Sequence, residues 1–241
     1  MPRSRAVLIA YAVLAVANVI IVGFQHQALE WATKPLLMPL LGVYVWLVTR
    51  EHGGRTGRLV LAALALSTAG DVTLLSPGTG WFLIGMSFFL GAQLCYIAAF
   101  LRAPAGAGTG SAGAALRRPP LVAVPIAYAV LTATALAWLW PGLTELGVAL
   151  PVAVYATALV TMAASASGLG WWAGVGGVFF VVSDLMIAIG VADVATLPGP
   201  PIWVMLTYLI GQTLIVTGWL ARSTPNAPVP TVVAGTPAIS H

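Results

Sequence analysis

The chain has 241 residues, of which 60% are hydrophobic and only 7% are charged. A soluble domain carries about 25% charged residues, so this composition excludes both an ordinary water-soluble protein and a disordered chain. With a net charge of +4, the basic residues are expected to mark membrane orientation, and nucleic acid is not an expected partner. The composition therefore predicts an all-α integral membrane protein.

Eight apolar stretches approach the length of about 20 residues that a helix needs to cross a bilayer. In chain order the predicted spans are 6 to 23, 34 to 49, 58 to 76, 80 to 101, 119 to 140, 143 to 164, 170 to 192 and 201 to 221. Together they predict a single transmembrane domain over residues 1 to 222. Residues 103 to 118 are expected to form a flexible linker, and the proline-rich segment 223 to 241 a disordered tail.

The charged residues predict an orientation, because short cytoplasmic loops collect lysine and arginine. With the N-terminus inside, all the arginines fall on the cytoplasmic side, and the single lysine, Lys34, lies at the outer end of a span. An even number of spans then places the C-terminus inside as well. The predicted location is a cell membrane, taken as the bacterial plasma membrane. A cleavable signal peptide in place of the first span is the alternative.

The two halves of the chain show a weak internal repeat. Three pairs of polar residues recur in the same order: Tyr44 and Tyr155, Asp71 and Asp184, Gln93 and Gln212. Spans that lie four apart run in the same direction, so the pattern predicts a parallel four-plus-four repeat about an axis along the membrane normal. Chance likeness between apolar segments of low complexity is the alternative.

Two aspartates lie within predicted spans, where an ionisable side chain costs roughly 2.5 to 3.5 kcal/mol even on the gentler insertion scale. Asp71 and Asp184 both fall in the outer halves of their spans, and Lys34 enters from the same side. The three charges are therefore expected to meet at similar depth, with Asp71 and Asp184 as candidate catalytic groups. The alternative is a polar pair that only holds helices together. Gly177 and Ala173 share a helix face with Asp184, which predicts that this aspartate faces protein rather than lipid.

Further polar residues within the spans are candidate substrate contacts, although each could equally be an interhelical hydrogen bond. They are Gln93, Tyr155, Ser183, Tyr208 and Gln212. The sequence has no Cys/His cluster, no nucleotide-binding motif and no serine hydrolase motif, so it predicts neither a metal nor a cofactor.

Five short strings keep a distinctive order and spacing along the spans. They are Lys34-Pro35-Leu36-Leu37-Met38-Pro39, Ala69-Gly70-Asp71-Val72, Gln93-Leu94-Cys95-Tyr96-Ile97-Ala98-Ala99-Phe100, Val182-Ser183-Asp184, and Thr207-Tyr208 with Gln212. Together they resemble the motifs of the YhhN family of membrane lysoplasmalogenases, over about residues 31 to 221. The resemblance implies an eight-helix, lysoplasmalogenase-like ether hydrolase that cleaves the vinyl ether bond of lysoplasmalogens. Its products would be a fatty aldehyde and glycerophosphocholine or glycerophosphoethanolamine.

Carried over by position, the resemblance implies a site lined by one set of residues: Lys34, Asp71, Tyr155, Ser183, Asp184, Tyr208 and Gln212. Gln93 stands where many relatives have a histidine, and Thr207 where a second tyrosine is common. Vinyl ether hydrolysis needs a proton for the β-carbon, stabilisation of the resulting oxocarbenium ion, and an activated water. Two carboxyl groups in one site of low dielectric constant can divide these tasks. Lys34 would either pair with an aspartate or hold the substrate phosphate.

Two other classes of function fit the same residues. A proton-coupled transporter of a small amphipathic solute would also combine parallel repeats with intramembrane carboxylates. A non-catalytic membrane scaffold would use the aspartates for stability or partner binding alone. For the enzyme, the expected partner is a lysophospholipid substrate within the membrane, and the oligomeric state is not predicted.

Overall fold

The computed structural model describes residues 2–50, 54–103, 119–196 and 198–223, and within these ranges it contains eight α-helices and no strand. The helices are α1 (Pro2–Gly23), α2 (Gln27–Thr49), α3 (Gly54–Thr73), α4 (Thr79–Leu101), α5 (Pro119–Glu145), α6 (Ala149–Ser167), α7 (Trp171–Ala192) and α8 (Pro200–Ser223). The predicted all-α fold is confirmed. Nearly all of the predicted linker and tail, 104 to 118 and 224 to 241, lies outside the described residues.

Seven of the helices in the described ranges are long and apolar enough to cross a membrane, so the protein is a multi-pass membrane protein. The exception is α3, which carries Arg55, Arg58 and Asp71. Short connections join α1 to α4 in sequence and α5 to α8 in sequence, so neighbouring helices run antiparallel. Both the start of α1 and the end of α8 lie at one end of the bundle, hereafter the terminal end. Which side of the membrane that end faces stays a prediction.

Two predicted boundaries are wrong. The second helix begins at Gln27 instead of 34, so Glu30 and Lys34 both lie within its first turns. The predicted turn at 140 to 143 is absent, because α5 continues through Pro141 to Glu145. The chain reverses instead at Gly147, whose φ of 70° is in the left-handed region that glycine adopts without strain. Both helices contain proline, and the signal at Pro141 predicted a turn that α5 does not make.

Glycines let the helices of the bundle approach one another closely. A Cβ atom added to Gly176 of α7 would lie 2.9 Å from the carbonyl oxygen of Gly211 in α8. A Cβ on the adjacent Gly177 would lie 2.9 Å from Cα of Ala163 in α6, which confirms the predicted small face of α7. In the other half, the ring of Phe89 from α4 lies directly against Gly70 of α3. These contacts draw α3 and α7, the two aspartate helices, into the interior of the bundle.

Large side chains fill the half of the bundle nearest the terminal end. Val60, Phe100 and Trp219 are all fully buried there, each near the end of its helix that lies on that side. Both aspartates lie in the opposite half, toward the ends of α3 and α7. The packed half therefore closes the bundle on the terminal side of the two aspartates.

The close approach of α7 and α8 predicts a position-dependent effect of adding one methyl group to α7. Gly176→Ala should lower the free energy of unfolding by about 1 to 3 kcal/mol, because the new methyl group meets backbone atoms of α8 that have no room to move. Gly190→Ala is the matched control, since its added Cβ has nothing within 4 Å. Thermal unfolding of the detergent-solubilised variants checks this, and equal melting temperatures would contradict the packing.

Candidate active site

A cavity in the half of the bundle away from the terminal end brings the two aspartates together. It lies between α2, α3, α4, α6, α7 and α8. Most of its wall is apolar, formed by side chains such as Met86, Phe89 and Val152. The charged and hydroxyl-bearing residues of its wall are Lys34, Asp71, Tyr155, Ser183, Asp184 and Tyr208.

Asp71 is the more deeply buried of the two carboxyl groups, with 3% of its surface exposed. The hydroxyl of Tyr208 on α8 donates a hydrogen bond to Oδ2 of Asp71 at 2.9 Å. The ring of Tyr208 is held edge-on by Phe89 and Phe180, with centroid distances of 6.0 and 5.4 Å. The phenol therefore has little freedom to turn, and the Asp71 carboxyl is held in one orientation across α3 and α8.

Gln212 lies one helical turn from Tyr208 and behind the cavity wall. Its amide nitrogen donates to Oγ of Ser67 at 3.2 Å and to the hydroxyl of Tyr208 at 3.3 Å. Its amide oxygen accepts a hydrogen bond from the hydroxyl of Tyr96 at 2.7 Å. All of these groups are buried, so Gln212 positions Tyr208 through a network that joins α3, α4 and α8. Gln212 was predicted to contact substrate, but it does not line the cavity.

Asp184 opens further into the cavity, since its side chain is only partly buried. The hydroxyl of Tyr155, on α6, donates a hydrogen bond to Oδ2 of Asp184. The adjacent Ser183 is 1% exposed and donates to the carbonyl oxygen of Val204 at 3.1 Å, which ties α7 to α8. Asp184 therefore faces protein, as its small helix face predicted, and it is held from a different helix than Asp71.

Gln93 is fully buried beside Tyr155 and does not line the cavity. Neither of its amide atoms has a hydrogen-bond partner with acceptable geometry in the described part of the chain. Its role as a substrate contact stays a prediction.

Lys34 lines the cavity and forms a salt bridge at 3.6 Å with Glu30, one turn earlier in α2. Among the described residues it forms no salt bridge with either aspartate. Glu30 lies outside the predicted span 34 to 49, but it belongs to α2, which begins before it. Its spacing of four residues from Lys34 is the sequence signal for this pair, and the late predicted start of α2 concealed it.

A wider and more open space, the vestibule, lies next to the cavity and shares Lys34, Leu74, Phe82 and Val191 with it. Its other walls include Glu30, the α3–α4 turn at Ser76 to Thr79, Leu146 and Pro201. All of these belong to helix ends or turns opposite the terminal end, so the aspartates are reached from that end of the bundle. In the described ranges no group of three or more His, Cys, Asp or Glu side chains could hold a metal ion.

Comparison with known proteins settles the family. The sequence model of the YhhN family matches residues 29–219, most of the chain. The chain belongs to the YhhN family. Curated proteins named lysoplasmalogenase, from Mycobacterium bovis and Mycobacterium tuberculosis, are each 36% identical over 214 residues, which is 86% of this chain and 77% of theirs. Lysoplasmalogenase TMEM86B of Rattus norvegicus is 32% identical over 177 residues, or 73% of this chain and 68% of its own. No solved structure matches.

The strings that resemble the YhhN family have two different places in the fold. Four of them supply wall residues of the cavity, namely Lys34, Asp71, Ser183 with Asp184, and Tyr208. The string from Gln93 to Phe100 packs behind the wall, where Tyr96 bonds to Gln212. The family motifs therefore mark both the surface of the cavity and the layer that supports it.

The bond between Tyr208 and Asp71 predicts a stability difference between two tyrosine variants. Tyr208→Phe should lower the free energy of unfolding by about 1.5 to 3 kcal/mol, because a buried carboxyl group loses its phenol donor. Tyr44→Phe is the control, since the hydroxyl of Tyr44 makes no hydrogen bond to the described part of the chain. Thermal melting of both variants measures the effect, and a Tyr208→Phe protein as stable as the control would contradict it.

Proposed function

We propose that this protein is a membrane-embedded lysoplasmalogenase, which hydrolyses the vinyl ether bond of a lysophospholipid to give a fatty aldehyde and glycerophosphocholine or glycerophosphoethanolamine. The observation that carries the proposal is the pair of carboxyl groups facing one mostly apolar cavity, Asp71 and Asp184. Curated relatives that share 36% of aligned residues bear the name lysoplasmalogenase. The chemistry of the residues and the names of the relatives thus support the same reaction.

The reaction adds one water and needs no redox partner. A carboxylic acid protonates the β-carbon of the vinyl ether, which leaves an oxocarbenium ion at the carbon bonded to oxygen. Water attacks that carbon and loses a proton to a carboxylate, giving a hemiacetal. Collapse of the hemiacetal returns a proton to the glycerol oxygen and releases the aldehyde. One acid and one carboxylate are sufficient for every proton transfer.

The surroundings of the two aspartates fit these tasks. The wall of the cavity is mostly apolar, so the attraction between a carboxylate and the developing cation is weakened less than it would be in water. Tyr208 and Tyr155 each hold one carboxyl oxygen, which leaves the other oxygen of each group able to face substrate. The carboxyl groups are thereby oriented before substrate binds, and no rearrangement is needed in the transition state.

The charged pair at the vestibule suits a phospholipid head group. Lys34 lies on the wall that the cavity and the vestibule share, so its ammonium group can bind the substrate phosphate. Glu30 lies 3.6 Å from it and faces the vestibule, where its carboxylate can contact the positive amine of an ethanolamine or choline head. The pair therefore matches both charges of a zwitterionic lipid.

A transporter would need its site to be reached from both membrane faces in turn. The described cavity is reached from the vestibule end, and Val60, Phe100 and Trp219 close the terminal end by packing. This arrangement favours an enzyme whose substrate need not cross the membrane. Proton-dependent uptake of an unaltered lysolipid by reconstituted vesicles, without aldehyde release, would favour the transporter instead.

The carboxyl chemistry predicts the effect of removing each acid. Asp71→Asn and Asp184→Asn should each lower aldehyde release from a long-chain lysoplasmalogen by roughly 100-fold or more, since an amide neither donates nor accepts the required proton. Asp193→Asn is the control, because Asp193 lies at the end of α7 with a φ of 51°, a conformation that asparagine also tolerates. Mass spectrometry of the aldehyde gives the rates, and thermal melting confirms folding. Full activity in both cavity variants would rule out the acid–base proposal.

Phosphate binding by Lys34 predicts a change that depends on the substrate head group. Lys34→Gln should raise KM for the lysoplasmalogen by about tenfold, because a charge-assisted hydrogen bond contributes about 1.5 to 3 kcal/mol. An alkenylglycerol without phosphate should show little change in KM between the two proteins. Steady-state kinetics with both substrates test this. An equal rise in KM for both substrates would show that Lys34 does not bind the phosphate, and that it stabilises the fold or affects Asp71 instead.

A further inference from the structure

A second apolar space, the lateral groove, lies between α5, α6 and α7. Ala135 and Leu139 of α5 form one side, and Ala156, Leu159 and Val181 form the other. Thr132, Tyr155 and Asp184 are its polar lining residues. The rest of its lining is apolar, which suits a hydrocarbon and offers no partner to a charged or hydrogen-bonding group.

The lateral groove borders the candidate active site. The two spaces share Val152, Tyr155, Asp184 and Ala188 as wall residues. A molecule that occupied both would therefore pass beside the side chain of Asp184.

The groove passes Asp184 and extends beyond it along the helix axes. Val152 and Ala188 line it on the vestibule side of Asp184. On α5 the groove extends from Leu139 back to Leu131, and eight residues of α-helix rise roughly 12 Å. On α6 it reaches past Tyr155 to Val160, away from the vestibule end. One part of the groove therefore continues from the depth of Asp184 toward the middle of the bilayer. Leu131 is 49% exposed, so this part of the groove lies at the lipid-facing surface.

We propose that the lateral groove binds the single hydrocarbon chain of the substrate, an inference that rests on the proposed function. A lysoplasmalogen consists, in order, of a charged head, a glycerol backbone, the vinyl ether and one chain. Along the bundle, the order is the Glu30–Lys34 pair, the cavity, the aspartates and the apolar groove. The same order places the chain along the helix axes with its end toward the bilayer centre, as in an ordinary leaflet.

The free energy of burying the hydrocarbon chain indicates how the groove would affect the reaction. Burial of a methylene group from water gains about 0.8 kcal/mol, but the chain comes from a bilayer that is already as apolar as leucine. Occupying the groove therefore adds little affinity. Its effect is to hold the vinyl ether at a fixed distance from the carboxyl groups, and misplacement by about 1 Å can cost 100-fold in rate. Blocking the groove should thus lower kcat more than it raises KM.

The test fills the groove with single bulky side chains. Ala135→Phe and Ala156→Phe place a ring inside the groove, whereas Ala133→Phe places the same ring on the exposed, lipid-facing side of α5. We expect kcat for a long-chain lysoplasmalogen to fall by roughly tenfold or more in the two groove variants, with kcat for a short-chain analogue changed less than about twofold. Equal chain-length profiles in the groove variants and in the Ala133→Phe control would overturn the proposal.

A second measurement separates this inference from the proposed reaction. The probe is a 1-O-alkyl lysophosphoethanolamine, which cannot be hydrolysed by this chemistry, with a photoreactive diazirine midway along its chain. Cross-links to α5, α6 and α7 residues of the groove are expected in the wild type and should be lost in Ala135→Phe. Labelling of other helices, or equal labelling of the groove by a diacyl phospholipid probe, would overturn the proposal. If the protein were labelled in the groove but released no aldehyde, the groove would still be a binding site for the hydrocarbon chain, and the proposed hydrolysis would be wrong.

Discussion

Two carboxyl groups inside a membrane bundle set the constraint on which the rest of the structure depends. Each costs roughly 2.5 to 3.5 kcal/mol at the centre of a bilayer, and each recovers part of that cost through a phenol donor on another helix. The donors are themselves held, Tyr208 by two aromatic rings and Gln212, and Tyr155 by its place on α6 next to α7. Close glycine contacts bring the helices near enough for these bonds to form.

The two aspartates do not have equivalent surroundings, although the sequence pairs them. Tyr155 precedes Asp184 and bonds to it from α6. The corresponding Tyr44 precedes Asp71, but Asp71 is bonded by Tyr208 from α8. Asp71 is almost fully buried near Lys34, whereas Asp184 is partly open and borders the lateral groove. The internal repeat stays a prediction, and the present geometry of the two carboxyl groups is asymmetric.

Because charged residues are few, the sequence alone could predict the fold class and several of the residues in the candidate site. With so few charged residues, each one in an apolar stretch is visible, so Asp71, Asp184 and Lys34 could be identified without a structure. The all-α fold followed from the apolar stretches, and the few other polar residues within them included Tyr155 and Ser183. Partners could not be predicted, because the donor for Asp71 comes from Tyr208, 137 residues away in sequence. Glu30 was left outside the second span, because the predicted span began at 34 and α2 begins at Gln27.

The proposed position of the chain would give the two carboxyl groups separate tasks. In a vinyl ether the proton goes to the carbon bonded to the chain, and the positive charge develops at the carbon bonded to oxygen. A substrate with its chain in the lateral groove and its head group at Lys34 would place the first carbon nearer Asp184, which borders both spaces, and the second nearer Asp71. Asp184 would then deliver the proton, and Asp71 would stabilise the cation and accept the proton of the attacking water.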